Sequence, residues 1–272
     1  MRLQRGDGEH IRSISLIYKY RERLVMDREN GLDSTINEFM QPVGTPLPHW
    51  HGAKEPARIA LHGAYVRLEP VDVDRHAREL YEAYREAPDA SAWTYLFVGP
   101  FDTFDAYRDY LQAAAASDDP MHFSVIDLAS GRAVGTLALM RIDSKNGVIE
   151  VGHVIYSPRL QRTRLATEAI YLLARYVFDE LGYRRFEWKC DALNAPSRTA
   201  ALRNGFRFEG IFRQAVIYKG RSRDTAWYSM IDIEWPALRR CYERWLEPQN
   251  FDADGVQTER LSELIQASRC AS

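Results

Sequence analysis

Cysteine is scarce in this 272-residue chain: Cys190, Cys241 and Cys270 are odd in number, far apart and form no CxxC pair. That pattern excludes a disulfide framework and a cysteine-built metal centre, and it fits reduced thiols in a cytoplasmic protein with no bound metal. Long apolar runs are also missing. No window approaches the roughly 20 consecutive apolar residues of a membrane span. The stretch Ile14–Tyr18, set between basic residues, is too short for the core of a signal peptide, so neither export nor a membrane partner is expected. Charge of one sign is not in excess either. Against 36 Lys and Arg stand 38 Asp and Glu, a formal charge of −2, so no global field favours nucleic acid. The chain has no G-x-x-x-x-G-K-[ST] and no G-x-G-x-x-G between a strand and a helix, which removes the nucleotide P-loop and the dinucleotide-binding fold.

What remains is an ordinary globular composition, 46% hydrophobic and 27% charged. Residues 1–60 read as an extended arm, because residues 41–56 alone hold four prolines and two glycines. Residues 1–25 are Arg-rich and aperiodic, and read as an upstream extension with Met26 as an alternative start. Residues 61–246 read as one catalytic-size domain and 247–272 as a weakly amphipathic tail. Within the domain the pattern predicts a strand at 64–70 and a helix capped by Asp72 or Asp74. A second helix follows from about Phe101, capped by Asp102 or Thr103. Three antiparallel strands, 122–128, 133–142 and 148–156, are joined by turns at Ser130-Gly131 and Ser144–Gly147. A long helix stripe from Ala166 to Leu181 stops at Gly182. A strand at 184–190, a helix at 194–204 with Pro196 in its first turn, strands at 206–218 and 223–233, and a helix at 236–246 complete an α+β arrangement around one mixed sheet.

The most informative segment is Glu150–Ala169. A strand ends at Tyr156, a short loop carries Arg159, Arg162 and Arg164, and a helix begins near Thr163. A helix N-terminus offers unpaired N–H groups and a positive dipole end, and arginines on its approach add charge-assisted contacts, so the segment suits a phosphate.

Gln161-Arg-Thr-Arg-Leu-Ala166 resembles the acetyl-coenzyme A signature Q/R-x-x-G-x-G/A of the GNAT N-acetyltransferase superfamily. The branch it resembles includes the ribosomal-protein alanine N-acetyltransferases. Glu150-Val-Gly152 on the preceding strand, and Asn194-Ala-Pro-Ser197 followed by Asn204-Gly-Phe206, match in order and spacing over about residues 61–235. The resemblance implies the GNAT fold, a mixed and mostly antiparallel twisted sheet with a splayed central strand pair and flanking helices. It also implies acetyl-CoA as cosubstrate. The strand ending at Tyr156 would pair its backbone with the pantetheine arm through Val154 and Tyr156, with Ile155 pointing the other way. Gln161, Arg162, Thr163, Arg164, Leu165, Ala166 and Thr167 would hold the pyrophosphate, and Asn194, Ser197 and Arg198 would flank the arm. Two departures stand out: Arg164 occupies the position of the first loop glycine, and Ala201 stands where many members place a tyrosine acid.

Acetyl transfer to an amine needs a neutral amine, a polarised thioester and a route for one proton. Glu150 is the expected base and Ser197 the expected group beside the leaving thiolate. His153 is expected at the acceptor. Trp93, Tyr95 and Phe97, in the aromatic loop Ser91–Pro100, are expected to line the acceptor pocket. The expected reaction is direct transfer to a primary amine of a small molecule or a peptide N-terminus, by a protein that could form a homodimer. Two alternatives stay open: transfer of a longer acyl group such as succinyl, and a non-catalytic acyl-CoA sensor or partner-binding protein.

Overall fold

A computed structural model describes residues 34–270. They fall into two units. Residues 34–51 form one, with a small antiparallel hairpin of β1 (Ser34–Ile36) and β2 (Pro42–Gly44). The other, residues 52–270, contains an eight-stranded sheet in the order β3-β4-β5-β6-β7-β8-β10-β9.

In that unit β3 (Leu61–His62) and β4 (Val66–Pro70) lead into α1 (Val73–Arg85), whose N-cap Asp72 accepts the Arg75 N–H. A 3-10 turn (Ser91–Trp93) separates α1 from α2 (Phe104–Ala116), which Thr103 caps. Strands β5 (Met121–Asp127), β6 (Ala133–Asp143) and β7 (Val148–Tyr156) form the expected antiparallel run. Then follow α3 (Arg164–Arg175), β8 (Arg185–Asp191), α4 (Ala195–Arg203), β9 (Arg207–Tyr218), β10 (Arg221–Ile231), α5 (Trp235–Leu246) and α6 (Leu261–Cys270).

The sheet is covered on both faces. Strand alternation sends Val134, Leu137, Ile149 and Val151 to the side of α3 and α5, and Ala133, Ile126 and Ile155 to the side of α1 and α2. Two readings from the sequence need correction. The helix stripe 166–181 is not one α-helix, because Tyr176–Glu180 winds as a π turn before Gly182 stops it at φ +75°. This lets Tyr176, Val177 and Phe178 all stay buried. The last strand, expected over 223–233, runs instead over Arg221–Ile231 as β10. Trp188 on β8 is buried and Trp227 on β10 is half-buried. Beyond residue 246, α6 sets Leu261 and Ile265 into the main core.

Candidate active site

The central feature is a break between two parallel strands. β7 and β8 pair only over Val148–Val151 and Arg185–Trp188, although β7 runs on to Tyr156 and β8 to Asp191. At the point of divergence His153 takes a left-handed φ of +47°, and the register with β6 shifts between Thr136–Ile155 and Ala138–Gly152. This bulge bends β7 away from β8. The free edge of residues 152–156 is therefore open to an extended ligand, as the unpaired edge of a sheet is. Val154 and Tyr156 pack against the main core and Ile155 against the α1–α2 cluster, so alternation holds beyond the bulge.

Because the strands are parallel, the helices that follow them start at the same end of the sheet. Thr163 caps α3, accepting the Ala166 N–H at 3.4 Å and donating to the Leu160 carbonyl at 2.7 Å. Gln161 donates its side-chain amide to the Tyr156 carbonyl at 2.8 Å. Arg162 is exposed with φ +61°, while Leu165 and Ala166 are half-buried and Thr167 is buried. Arg164 turns away from the helix axis: its guanidinium lies 4.2 Å from the centre of the Tyr65 ring and 5.4 Å from that of Phe251. Apart from the Ala166 N–H, which Thr163 takes, the first turn of α3 offers backbone amides of the kind that suit a pyrophosphate. On α4, Asn194 accepts the Ser197 N–H at 3.1 Å, and Ser197 Oγ accepts the Trp188 indole N–H at 3.0 Å. Arg198 is engaged locally, donating to the Ala192 carbonyl and the Tyr228 hydroxyl at 3.1 Å each. Ala201, at the position of the missing tyrosine, faces the core and is fully buried.

Glu150 lies just before the splay, 5% exposed. Its carboxylate meets Lys189 Nζ at 2.8 Å and Arg141 Nε at 3.3 Å, and Lys189 also reaches Glu187 at 2.6 Å. Burial raises its pKa above the usual glutamate value, against the opposing pull of the two cations. The side chain of His153 sits 4.9 Å from the ring of buried His122. Burial lowers the pKa of both, His122 to about 4, with His153 and Arg58 adding to the effect at His122. Both imidazoles are neutral at pH 7. Lys189, Glu187, Arg141 and His122 were not foreseen. The repeat Glu187-x-Lys189-x-Asp191 within one strand was the signal available, since charges at alternate positions of a central strand must share a face.

Beyond the splay, Trp93, Tyr95, Asp191, Leu193, Tyr218 and Arg221 line a cavity of about 400 Å3. Of the three aromatics expected at an acceptor, Trp93 and Tyr95 line this cavity. Phe97 does not line it; its ring packs against that of Tyr218 at 5.4 Å. The loop is held by Lys219 Nζ, which donates to the Trp93 carbonyl at 2.8 Å, and by Tyr95, which donates to the Leu193 carbonyl at 3.2 Å. Among the described residues no group of three or more His, Cys, Asp or Glu could hold a metal ion, and no helix is long and apolar enough to cross a membrane.

Comparison with known proteins agrees with this geometry. The family profile described as "Acetyltransferase (GNAT) domain" matches residues 66–207. A GCN5-related N-acetyltransferase from Brucella melitensis is 50% identical in a crystal structure that superposes with a TM-score of 0.79, over 81% of this chain and 100% of that one. The uncharacterized N-acetyltransferase p20 of Bacillus licheniformis is 27% identical over 150 residues, 54% of this chain and 84% of that protein. The ribosomal-protein-serine acetyltransferase of Escherichia coli is 30% identical over 98 residues, 36% of this chain and 55% of that protein. Family members use acetyl-CoA as cosubstrate, and the splayed strands with the two helix N-termini are a frame into which that group fits. The chain belongs to the GNAT acetyltransferase family and is an acyltransferase enzyme, similar to the branch that holds the ribosomal-protein acetyltransferases.

Proposed function

We propose that the protein moves an acetyl group from acetyl-CoA to a primary amine, of a small molecule or a peptide N-terminus, by direct transfer in a ternary complex. The observation that carries this reading is the free edge of β7 at His153, with the buried carboxylate of Glu150 just behind it. Acetyl-CoA, when bound, supplies the thioester carbonyl. The edge of β7 from Gly152 to Tyr156 orients the pantetheine arm, the bared amides of α3 and the side chain of Arg162 hold the diphosphate, and backbone N–H groups at the bulge face the developing oxyanion.

A primary amine is mostly protonated near neutral pH. Glu150 accepts the proton it must lose, and Lys189 keeps the carboxylate ionised against its burial. The amine nitrogen then bonds the carbonyl carbon as the carbon–sulfur bond breaks, and the second proton it sheds passes to the departing thiolate. Ser197, oriented by the Trp188 indole, stands on the side of the departing thiolate; no tyrosine takes that place, because Ala201 points into the core.

Calorimetric titration with acetyl-CoA, followed by a thiol-release assay over amines and short peptides, tests the reading. Binding weakened about tenfold in R162A, with thiol release for at least one amine, supports it. Binding without release across the panel favours the sensor alternative, for which the missing tyrosine speaks.

A further inference from the structure

The sheet face that carries Glu150 continues onto β10. Thr225 pairs with Asp191 and Trp227 with Lys189, so the alternating residues Arg223, Thr225 and Trp227 share the face of the Glu150–Lys189 pair. Each of the three leaves a buried polar atom without a hydrogen-bond partner: Arg223 Nε, Thr225 Oγ1 and Trp227 Nε1. All three can donate. Folded proteins pair nearly all such groups, so three in a row along one strand form a track for acceptor atoms that arrive from outside.

Arg223 is the strongest member of the track. It is 7% exposed, its guanidinium lies 5.0 Å from the centre of the Phe97 ring and 5.6 Å from that of Tyr218, and no carboxylate among the described residues pairs with it. An unpaired buried cation is costly, and an incoming anion would relieve it. The nearby Asp191 makes no ion pair with Arg223; its carboxylate accepts the Leu193 N–H and the Tyr218 hydroxyl, both at 2.8 Å. Tyr218 lies beside the guanidinium and also lines the cavity, whose wall carries the cations Lys219 and Arg221.

Building on the acetyl-transfer reading above, we propose that Arg223 anchors an anionic group of the acceptor, so that the enzyme selects amines carrying a carboxylate well removed from the reacting nitrogen. Four residues of strand separate Arg223 from Trp227, whose ring lies 3.8 Å from Lys189 Nζ beside Glu150. That is about 13 Å along β10. A free α-amino acid, with amine and carboxylate on one carbon, is too short for it. An extended peptide with an acidic side chain at its third residue spans it, and its carbonyl oxygens pass Trp227 and Thr225.

The test compares Ala-Ala-Glu-amide with Ala-Ala-Gln-amide, which differ only in one charge. Wild-type enzyme is expected to show kcat/KM at least about tenfold higher on the Glu peptide. R223M is expected to bring the ratio to near one, and R223K to retain part of it, with both variants melting near the wild type. Equal rates on the two peptides in the wild type, or a preference that survives R223M, overturn the proposal. Equilibrium binding of the N-acetylated forms of both peptides gives a second readout that needs no turnover. Preferential binding of the Glu form without any transfer keeps the anion site and removes the transferase reading; no preference in either measurement removes the anion site.

Discussion

Lys189 Nζ, one residue past the last paired register of β7 and β8, stands 2.8 Å from Glu150 Oε2, and both side chains are nearly sealed from solvent. Burial pushes the Glu150 pKa up and Lys189 is the first influence pulling it back. The pair therefore sets the pH at which the carboxylate beside the splay ionises.

The first prediction concerns that base. E150Q is expected to lower kcat about 100-fold or more while leaving acetyl-CoA affinity close to wild type. The acidic limb of the kcat/KM profile should lie above the ordinary glutamate range. K189M removes a group that lowers the pKa, so the limb should move to higher pH. A limb that moves down, or does not move, would rule out the base assignment.

His122 makes folding stability sensitive to acid. Its folded pKa, about 4, lies below the unfolded value near 6.5. Above pH 6.5 neither state holds the proton and stability is full. As pH falls from about 6.5 to about 4 the unfolded chain binds a proton that the folded chain refuses, and stability drops by as much as about 3 kcal/mol. Chemical denaturation of wild type and H122Q across that window should show a shallower loss in the variant.

Glu168, in the first half of α3, accepts three backbone N–H groups, those of Ala64, Tyr65 and Val66, each at 2.7 Å. This carboxylate pins the β3–β4 turn onto α3. E168A should cost about 3 kcal/mol in urea unfolding, since one buried and two partly buried donors lose their acceptor together. G63A should also destabilise, because an added Cβ would stand 2.5 Å from the Glu168 carboxyl carbon.

Restoring the family's tyrosine is expected to fail as a gain of function. The Ala201 side chain is fully buried within the main core. A201Y should destabilise by about 1–3 kcal/mol through overpacking, and kcat should not rise. Thermal melting and the thiol-release rate together check this.

Much of the fold was legible because its signals are local. Asp72, Thr103, Thr163 and Asn194 each cap a helix by accepting an N–H three residues ahead, a bond that any chain with that sequence can make. The strand–loop–helix segment around Gln161–Ala166 and the order of elements follow from the same short-range rules. The site was only half legible. The positions of Glu150, His153, Ser197 and the Arg162 loop in the chain pointed to the splay, while the partners of Glu150 and the direction taken by Arg164 did not show.

The sequence by itself determined the element order, the helix starts and the membership in a family, since each rests on spacing within a few residues. Tertiary structure alone decided which charges meet. Lys189 reaches Glu150 from 39 positions away because two strands run parallel in one register. Arg164 leaves the first turn of α3 because aromatic rings from residues 65 and 251 offer it a stacking surface. Arg223 has no carboxylate partner among the described residues and lies instead beside two rings, because the β9–β10 hairpin brings Tyr218 to it and the loop after α1 brings Phe97. Electrostatic interaction depends on distance and burial in space, and neither quantity is written along a single chain.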